Sequence, residues 1–378
     1  MARFCYAPWK AITISNKQVS PCCYTTFKPT NDIPKALVEY QTCDELIKIK
    51  QEFLKGIEPA VCGHCWDMEA SGARSKRQLF NNDYNYDDSM EISQQIIDEG
   101  IVDIEFSTGN VCNLQCKTCH STNSSKWVKI ENNLISRGFD IKVPVNQPKY
   151  LMKDKHYLDA ILTQKKLKRI TMLGGEPLLG QEKEHIELLS NLDGPNIEEL
   201  EYITNGTIIP SPEIVELWRK FPNILINFSV DGVGDIFEYT RSPAKWDTFL
   251  ETYDFFEELT ERGNFRLSAV ATVSILNVLG MPEMLEWAKA KNLEISFSPV
   301  IFPQYYSLFN LPENIKQIIY KSLDGIPELA AYTNYLRETP SDDTHIDDTR
   351  AYIMALDDIH GHSFNKLFPE LANILRIV

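Results

Sequence analysis

The segment GNVCNLQCKTCHST, Gly109–Thr122, holds Cys112, Cys116 and Cys119 in the spacing C-x3-C-x2-C. A closed structural zinc site takes four ligands, and disulfides use cysteines in pairs. Three thiolates from one short loop suit a group that keeps one coordination position open. Thiolates favour zinc and iron–sulfur clusters. The competing reading is a helix with cysteines at i, i+4 and i+7 on a buried face, since free cysteine is often buried. Asn113 and the strand-like run VDIEFST (Val102–Thr108) just before the loop argue against it.

Downstream, short β-rich runs alternate with helical patterns. KRITML (Lys168–Leu173), LEYIT (Leu200–Thr204), ILINFSV (Ile224–Val230), RLSAVATV (Arg266–Val273) and LEISFSP (Leu293–Pro299) read as strands. Helices are expected near 122–137, 181–192, 212–220, 245–262 and 282–291. Such alternation means parallel βα units with right-handed crossovers. The expected fold is α/β: a partial (β/α)6 TIM-like barrel with a small N-terminal β-hairpin/helix module and a helical C-terminal extension. The expected domains are 1–90, 91–304 and 305–378. In parallel arrangements sites form at the carboxyl ends of strands. The cysteine loop, GGEP, TNG and SVDG all fall there.

In the N-terminal region KAITISNKQVSP reads as a hairpin turning at Asn16-Lys17, and Cys43–Gly56 as an amphipathic helix stopped by Gly56. NNDYNYDD (Asn81–Asp88) reads as a polar linker. Of 378 residues, 43% are hydrophobic, enough for a large core, and no apolar run approaches a membrane span. The start, MARFCYAPWKAIT, has no signal-like apolar core, so a soluble cytoplasmic protein is expected. The net charge of −15 disfavours broad binding to nucleic acid. RSKR (Arg74–Arg77) and KKLKR (Lys165–Arg169) read as solvated surface or helix ends. Nine cysteines, none beyond Cys119, point to metal or redox chemistry rather than disulfides.

CNLQCKTC resembles the signature of the radical S-adenosylmethionine (SAM) superfamily. The resemblance implies that Cys112, Cys116 and Cys119 hold a 4Fe–4S cluster whose free iron is chelated by SAM. SAM cleavage would then give a 5′-deoxyadenosyl radical that abstracts hydrogen from a substrate. Thr118 stands where the family often has an aromatic. LGGEPLL (Leu173–Leu179) resembles the family's glycine-rich segment, implying SAM contacts at Gly174, Gly175 and Glu176. SVDG and a later arginine resemble the fourth-strand pattern of peptide-modifying members, implying SAM contacts at Ser229, Asp231 and Arg241. Against this, Asp231-Gly232 reads as a plain turn and Arg241 as surface. Thr204 and Asn205 end a strand and are expected to face the pocket, though Asn-Gly is also a common turn. No catalytic side chain beyond these is assigned.

The N-terminal cysteines with CGHC resemble the twitch (half-SPASM) module, which usually follows the barrel rather than preceding it. This implies a second, auxiliary iron–sulfur cluster on Cys5, Cys22, Cys62 and Cys65. Adjacent strand residues point to opposite faces, so Cys23 is a reserve to Cys22. Cys43 heads a helix as a spare thiol. A zinc ribbon with His64 nearby is the rival reading. Trp9 and Trp66 are expected as shielding core, His120 as solvated or backbone-bonded, and His360 and His362 as a helix end. The function implied is radical modification of a peptide or protein with an electron donor such as a flavodoxin or ferredoxin. A nucleotide or other small-molecule substrate, or a non-enzymatic iron–sulfur or zinc scaffold, are the alternatives.

Overall fold

The parallel strands foreseen around the cysteine loop are present in a computed structural model of the chain. It describes residues 4–15, 18–25, 27–30, 32–70, 74–86, 100–141, 145–309 and 311–377. The fold is α/β with an eight-stranded, mostly parallel sheet. The strands are β1 (Ala11–Ile14), β2 (Val19–Ser20), β3 (Asp103–Ser107), β4 (Arg169–Leu173), β5 (Glu199–Thr204), β6 (Ile224–Ser229), β7 (Phe265–Val273) and β8 (Glu294–Pro299). The chain packs as two compact units.

The first unit comprises Met1–Val111, Lys149–Ile203 and Pro210–Leu225. Here β3 pairs in parallel with β4, and β4 with β5. The N-terminal hairpin forms as expected, β1 antiparallel to β2, although its Asn16-Lys17 turn lies outside the described residues. Its β1 also runs parallel to β3, Ile12 opposite Ile104. The hairpin therefore extends the sheet. Its apolar, β-branched AITI run covers an edge of β3 that would otherwise expose unpaired backbone groups. Ile12, Ile104, Phe106, Ile170, Met172, Leu200 and Tyr202 are fully buried along these strands. Helices Lys155–Leu162 and Glu182–Asn191 accompany them.

Two readings of this unit are corrected. Asn81–Asp83 close the helix Lys76–Asp83 rather than starting a linker. Asn81 Nδ2 donates to Phe4 O at 2.7 Å, and its Oδ1 accepts from Tyr6 N at 2.9 Å. Tyr84 stacks on Tyr6, and Tyr86 is buried. The aromatic residues interspersed in NNDYNYDD give that run a core to join; Asp87 and Asp88 lie outside the described residues. Arg77 is buried, not solvated: Nε and Nη2 donate to the two Glu69 carboxylate oxygens, each at 2.8 Å, and Nη1 to Phe4 O. In KKLKR, Arg169 lies in β4 and pairs with Asp83 and Glu199.

The second unit comprises Cys112–Pro148, Thr204–Ile209 and Ile226–Val378. Its β7 and β8 pair in parallel over six positions. Phe228 on β6 packs against Phe249, Tyr253 and Phe256 of the helix Trp246–Thr260. A short helix, Gly234–Thr240, was not foreseen. The C-terminal region is helical as expected, with Glu313–Leu323, Ala330–Glu338, Ile346–His360 and Pro369–Leu375. Gly361, at φ 68°, closes the helix that ends in His360. Glycine, lacking a Cβ, adopts that left-handed conformation at the lowest cost.

A buried triad braces the first unit. His185 Nε2 meets Tyr202 Oη at 2.6 Å, and Trp218 Nε1 donates to the same oxygen at 3.0 Å. Burial pushes the His185 imidazole down to about 4. The unfolded chain protonates this histidine near pH 6.5, and the folded chain resists protonation until about pH 4. The unfolded state thus binds more protons in that window. The contribution is complete above pH 6.5 and falls by about 3 kcal/mol as pH drops through the window. Urea midpoints measured from pH 7 to 4 should show this loss in the wild type and much less of it in His185→Gln.

Candidate metal and cofactor site

Cys112, Cys116 and Cys119 lie in an irregular loop, not on a helix. The loop is fastened by groups other than its sulfurs. Gln115 N donates to Ser242 O at 2.6 Å and Lys117 N to Thr240 O at 2.8 Å. Ser124 Oγ donates to Leu114 O, and Trp127 Nε1 to Cys116 O. Cys119 N bonds back to Cys116 O, closing a turn.

The three thiols lie within electrostatic reach of one another. Burial pushes Cys116 up to about 12, with Cys112 adding and Arg241 opposing. Burial, then Cys116 and Cys112, hold Cys119 well above the ordinary thiol range. Metal binding would replace these protons.

The expected SAM contacts take definite places. Arg241 is buried, 7% exposed, which removes the surface reading. Its Nη1 lies 2.5 Å from Asp231 Oδ2, while its buried Nε has no partner among the described residues. Burial opposes the guanidinium charge, but Cys116 and Asp231 outweigh it and keep its pKa above the ordinary value. Asp231 Oδ1 accepts from Thr272 N at 2.7 Å, so both its oxygens are occupied and it orients Arg241. Ser229 ends β6, half-buried.

Asn205 is tied to the cysteine loop. Its Nδ2 donates to Asn113 Oδ1 at 2.9 Å and approaches Cys112 Sγ at 3.8 Å, while Oδ1 accepts from Thr207 N. Asn113 Nδ2 donates in turn to Thr207 Oγ1. Thr204 Oγ1 accepts from Gly206 N.

In the first unit, Gly174 and Gly175 press against the backbone that runs into Cys112. A Cβ on Gly174 would sit 2.7 Å from Gly109 O, and one on Gly175 would sit 2.3 Å from Val111 O. Gly175 N donates to Gly109 O, and Glu176 N to Val111 O. The glycines are thus required by the chain's own packing. Glu176 is buried, its Oε1 accepting from Leu178 N.

The same unit brings Cys5, Cys22, Cys62 and Cys65 around one small cavity, with Trp66, Thr25 and Arg77 in its wall. Burial pushes Cys62 up to about 12, with Cys22 and Cys65 adding. Cys23 is exposed and does not border the cavity. The sorting arises in a turn after β2, where Thr25 N bonds to Cys22 O, not from strand alternation as the sequence suggested. His64 faces the Tyr24 ring at 4.2 Å and is not in the cavity wall. Cys43 heads the helix Asp44–Leu54 as expected, its side chain making no capping hydrogen bond, and Trp9 is core beside Phe4. Among the described residues, no group of three or more His, Cys, Asp or Glu is arranged to hold a metal ion.

Two features were missed by sequence reasoning. Lys117, inside the cysteine motif, is fully buried and forms an ion pair with Asp357 at 2.8 Å. Its ammonium also lies over the Tyr239 ring. Asp357 Oδ2 accepts from Phe364 N, tying the C-terminal helix end to the same pair. The second is Glu131, buried beside the loop, with Oε1 accepting from Ser121 N at 2.8 Å. No motif marks either residue.

Residues 106–289, just under half of the chain, match the model of the Radical SAM superfamily. Such a domain implies a 4Fe–4S cluster and SAM, and the donor set fits them: three thiols from one loop and a buried arginine with an unpartnered N–H. No curated protein matches the chain. Similar solved structures include native anSMEcpe with bound AdoMet, at 16% identity over 69% of this chain and 67% of that one, TM-score 0.40. SuiB of Streptococcus suis bound to S-adenosylmethionine is another, at 12% identity over 88% and 70%, TM-score 0.36. Among the described residues, no helix is long and apolar enough to cross a membrane.

The Lys117–Asp357 pair gives a stability test. Lys117→Met leaves the Asp357 carboxylate buried without its cation and should lower unfolding free energy by about 3 kcal/mol. Adding Asp357→Asn removes the stranded charge and should restore much of the loss. Urea denaturation of the wild type and the single and double variants checks both steps.

Proposed function

We propose that this chain is a radical SAM enzyme acting on a peptide or protein. The observation carrying the reading is the loop Cys112–Cys119, three thiols in mutual electrostatic reach beside the buried Arg241. In this reading Cys112, Cys116 and Cys119 hold the 4Fe–4S cluster. When bound, cluster and SAM together supply a 5′-deoxyadenosyl radical that abstracts hydrogen from the substrate. Arg241 uses its unpartnered Nε toward the SAM carboxylate, a charge-assisted hydrogen bond. Asp231 acts through Arg241, and Asn205 through Cys112 and Asn113. Ser229 and Thr204 contact SAM from the ends of β6 and β5.

The N-terminal residues 1–90 form an auxiliary cluster module, residues 91–304 a partial barrel, and residues 305–378 a cap that excludes water from the radical. Cys5, Cys22, Cys62 and Cys65 hold a second iron–sulfur cluster. A tetrahedral zinc ion would draw four sulfurs to roughly 3.8 Å of one another. The four cysteines line one cavity, which supports a shared bound group there, and the cluster motif that follows in the chain favours iron over zinc. The acidic net charge supports a basic peptide over nucleic acid. A one-electron donor such as a flavodoxin or ferredoxin serves the enzyme in the cytoplasm.

Anaerobic reconstitution tests the reading. The wild type should hold about eight irons per chain and release 5′-deoxyadenosine with dithionite. Cys116→Ala should keep about four irons and lose SAM cleavage. Cys22→Ala and Cys62→Ala should each lose about four irons, and Cys23→Ala none. Zinc in place of iron, with no SAM cleavage, would establish the scaffold alternative.

A further inference from the structure

One cavity in the second unit is unused by the assignments above. It has a volume of about 540 Å³, and its wall includes Cys119, His120, Trp127, Glu131, Tyr305 and Tyr352. That size suits a side chain or small ligand. A ligand of the implied cluster therefore lies in the wall of a cavity able to take a substrate. His120, read from sequence as solvated or backbone-bonded, borders it.

We propose that this cavity is the substrate pocket and that it takes a cationic side chain, the ammonium of lysine or the guanidinium of arginine in a peptide. The proposal rests on the radical SAM reading for the reaction performed there; the recognition is argued from the cavity itself.

Glu131 carries the argument. It is 2% exposed, and Oε1 is used by Ser121 N. Oε2 is buried with no hydrogen-bond partner among the described residues. A buried carboxylate oxygen left without a donor is costly, and a cation brought by a ligand would satisfy it. The aromatic wall favours the same occupant. The Tyr305 and Tyr352 rings stack with centroids 4.0 Å apart and 9° between planes. Phe139 meets Tyr352 edge-on at 4.7 Å. Trp127 spends its N–H on Cys116 O, which leaves the ring face for packing. Aromatic faces attract ammonium and guanidinium groups, and the aliphatic stems of lysine and arginine pack on them.

The remaining charges point the same way. Asp140 and Asp348 also border the cavity. Arg137, its one arginine, is engaged by Asp358 at 2.8 Å. His345 faces Asp348 at 3.8 Å. An anionic side chain would meet Glu131 directly, and an apolar one would leave Oε2 bare.

The test uses acetylated, amidated pentapeptides with lysine, arginine, leucine or glutamate centred between glycines. Binding is measured by calorimetry on the full chain, with and without reconstituted iron. The wild type should bind the lysine and arginine peptides about tenfold more tightly than the leucine peptide, and the glutamate peptide most weakly. Glu131→Gln keeps an acceptor for Ser121 N and should erase the preference. Ala351 is an exposed residue of the helix Ile346–His360 in the cavity wall. Ala351→Trp should fill the space and abolish binding even if Glu131→Gln fails to fold. Equal affinity for lysine and leucine peptides, or a cation preference that survives in either folded variant, overturns the proposal. Iron content and 5′-deoxyadenosine release, recorded on the same preparations, keep the two readings apart. No preference in a protein that cleaves SAM removes the pocket alone; a preference in a protein that neither holds iron nor cleaves SAM removes the enzyme reading alone.

Discussion

Three thiols in a span of eight residues do not attract one another strongly enough to hold a loop together. As buried thiols they are weak hydrogen-bonding groups, and as thiolates they repel one another. The loop must be shaped mainly by groups other than its sulfurs, whose own contacts are long ones to Leu114 N, His120 O and Asn205 Nδ2. Backbone groups of Gln115 and Lys117 are anchored on Ser242 and Thr240, and the Cys116 and Leu114 carbonyls are capped by Trp127 and Ser124. Asn205 braces Asn113 beside Cys112. These bonds consume main-chain and amide groups, and Arg241 supplies the positive charge that tempers the ionisation cost of the thiols.

That solution makes the loop depend on distant sequence. Lys117 reaches a partner 240 positions away in the chain. In water such a pair contributes little. Here the ammonium is fully buried, so its loss would strand a carboxylate, and the desolvation cost makes the pair a strong constraint on geometry. Burial alone would lower the Lys117 pKa, and Asp357 opposes that. The same carboxylate accepts from Phe364 N, so the helix Ile346–His360 and the turn after it are fixed to the motif through one group.

What could be read in the sequence was local. Strands β3 to β8 follow from β-branched runs bounded by turn residues, and the cysteine spacing pointed to its chemistry without any fold. Gly174 and Gly175 were legible as places of close approach, but their neighbour is the chain's own backbone at Gly109 and Val111. Non-local partners were not legible. Nothing in AITI announces that β1 will pair with β3, because a hairpin strand that joins a sheet and one that stays free share one pattern. NNDYNYDD looks like a linker by composition, yet its tyrosines find aromatic partners and Asn81 caps the Phe4 and Tyr6 backbone. Lys117 and Glu131 look like ordinary surface charges until burial is known.

The two cysteine sets illustrate how geometry divides labour. In the motif loop three sulfurs are gathered by a single segment, so their number is set by loop length and turn closure, and a fourth would need another element. In the N-terminal set the four come from three separate segments: the chain start, the turn after β2, and the CGHC stretch where the short helix Gly63–Ala70 begins. A site built this way exists only when the hairpin, the helix and the start of the chain are already packed. Phe4 packs against Trp9, Phe53 and Tyr86 in the same region, and Arg77, paired with Glu69, stands in the cavity wall. The first set is gathered by one segment that distant partners hold in shape, whereas the second reports on the packing of several separate segments of the N-terminal region. A group bound there would stabilise that region as a unit, because binding free energy at a site absent from the unfolded chain is folding free energy.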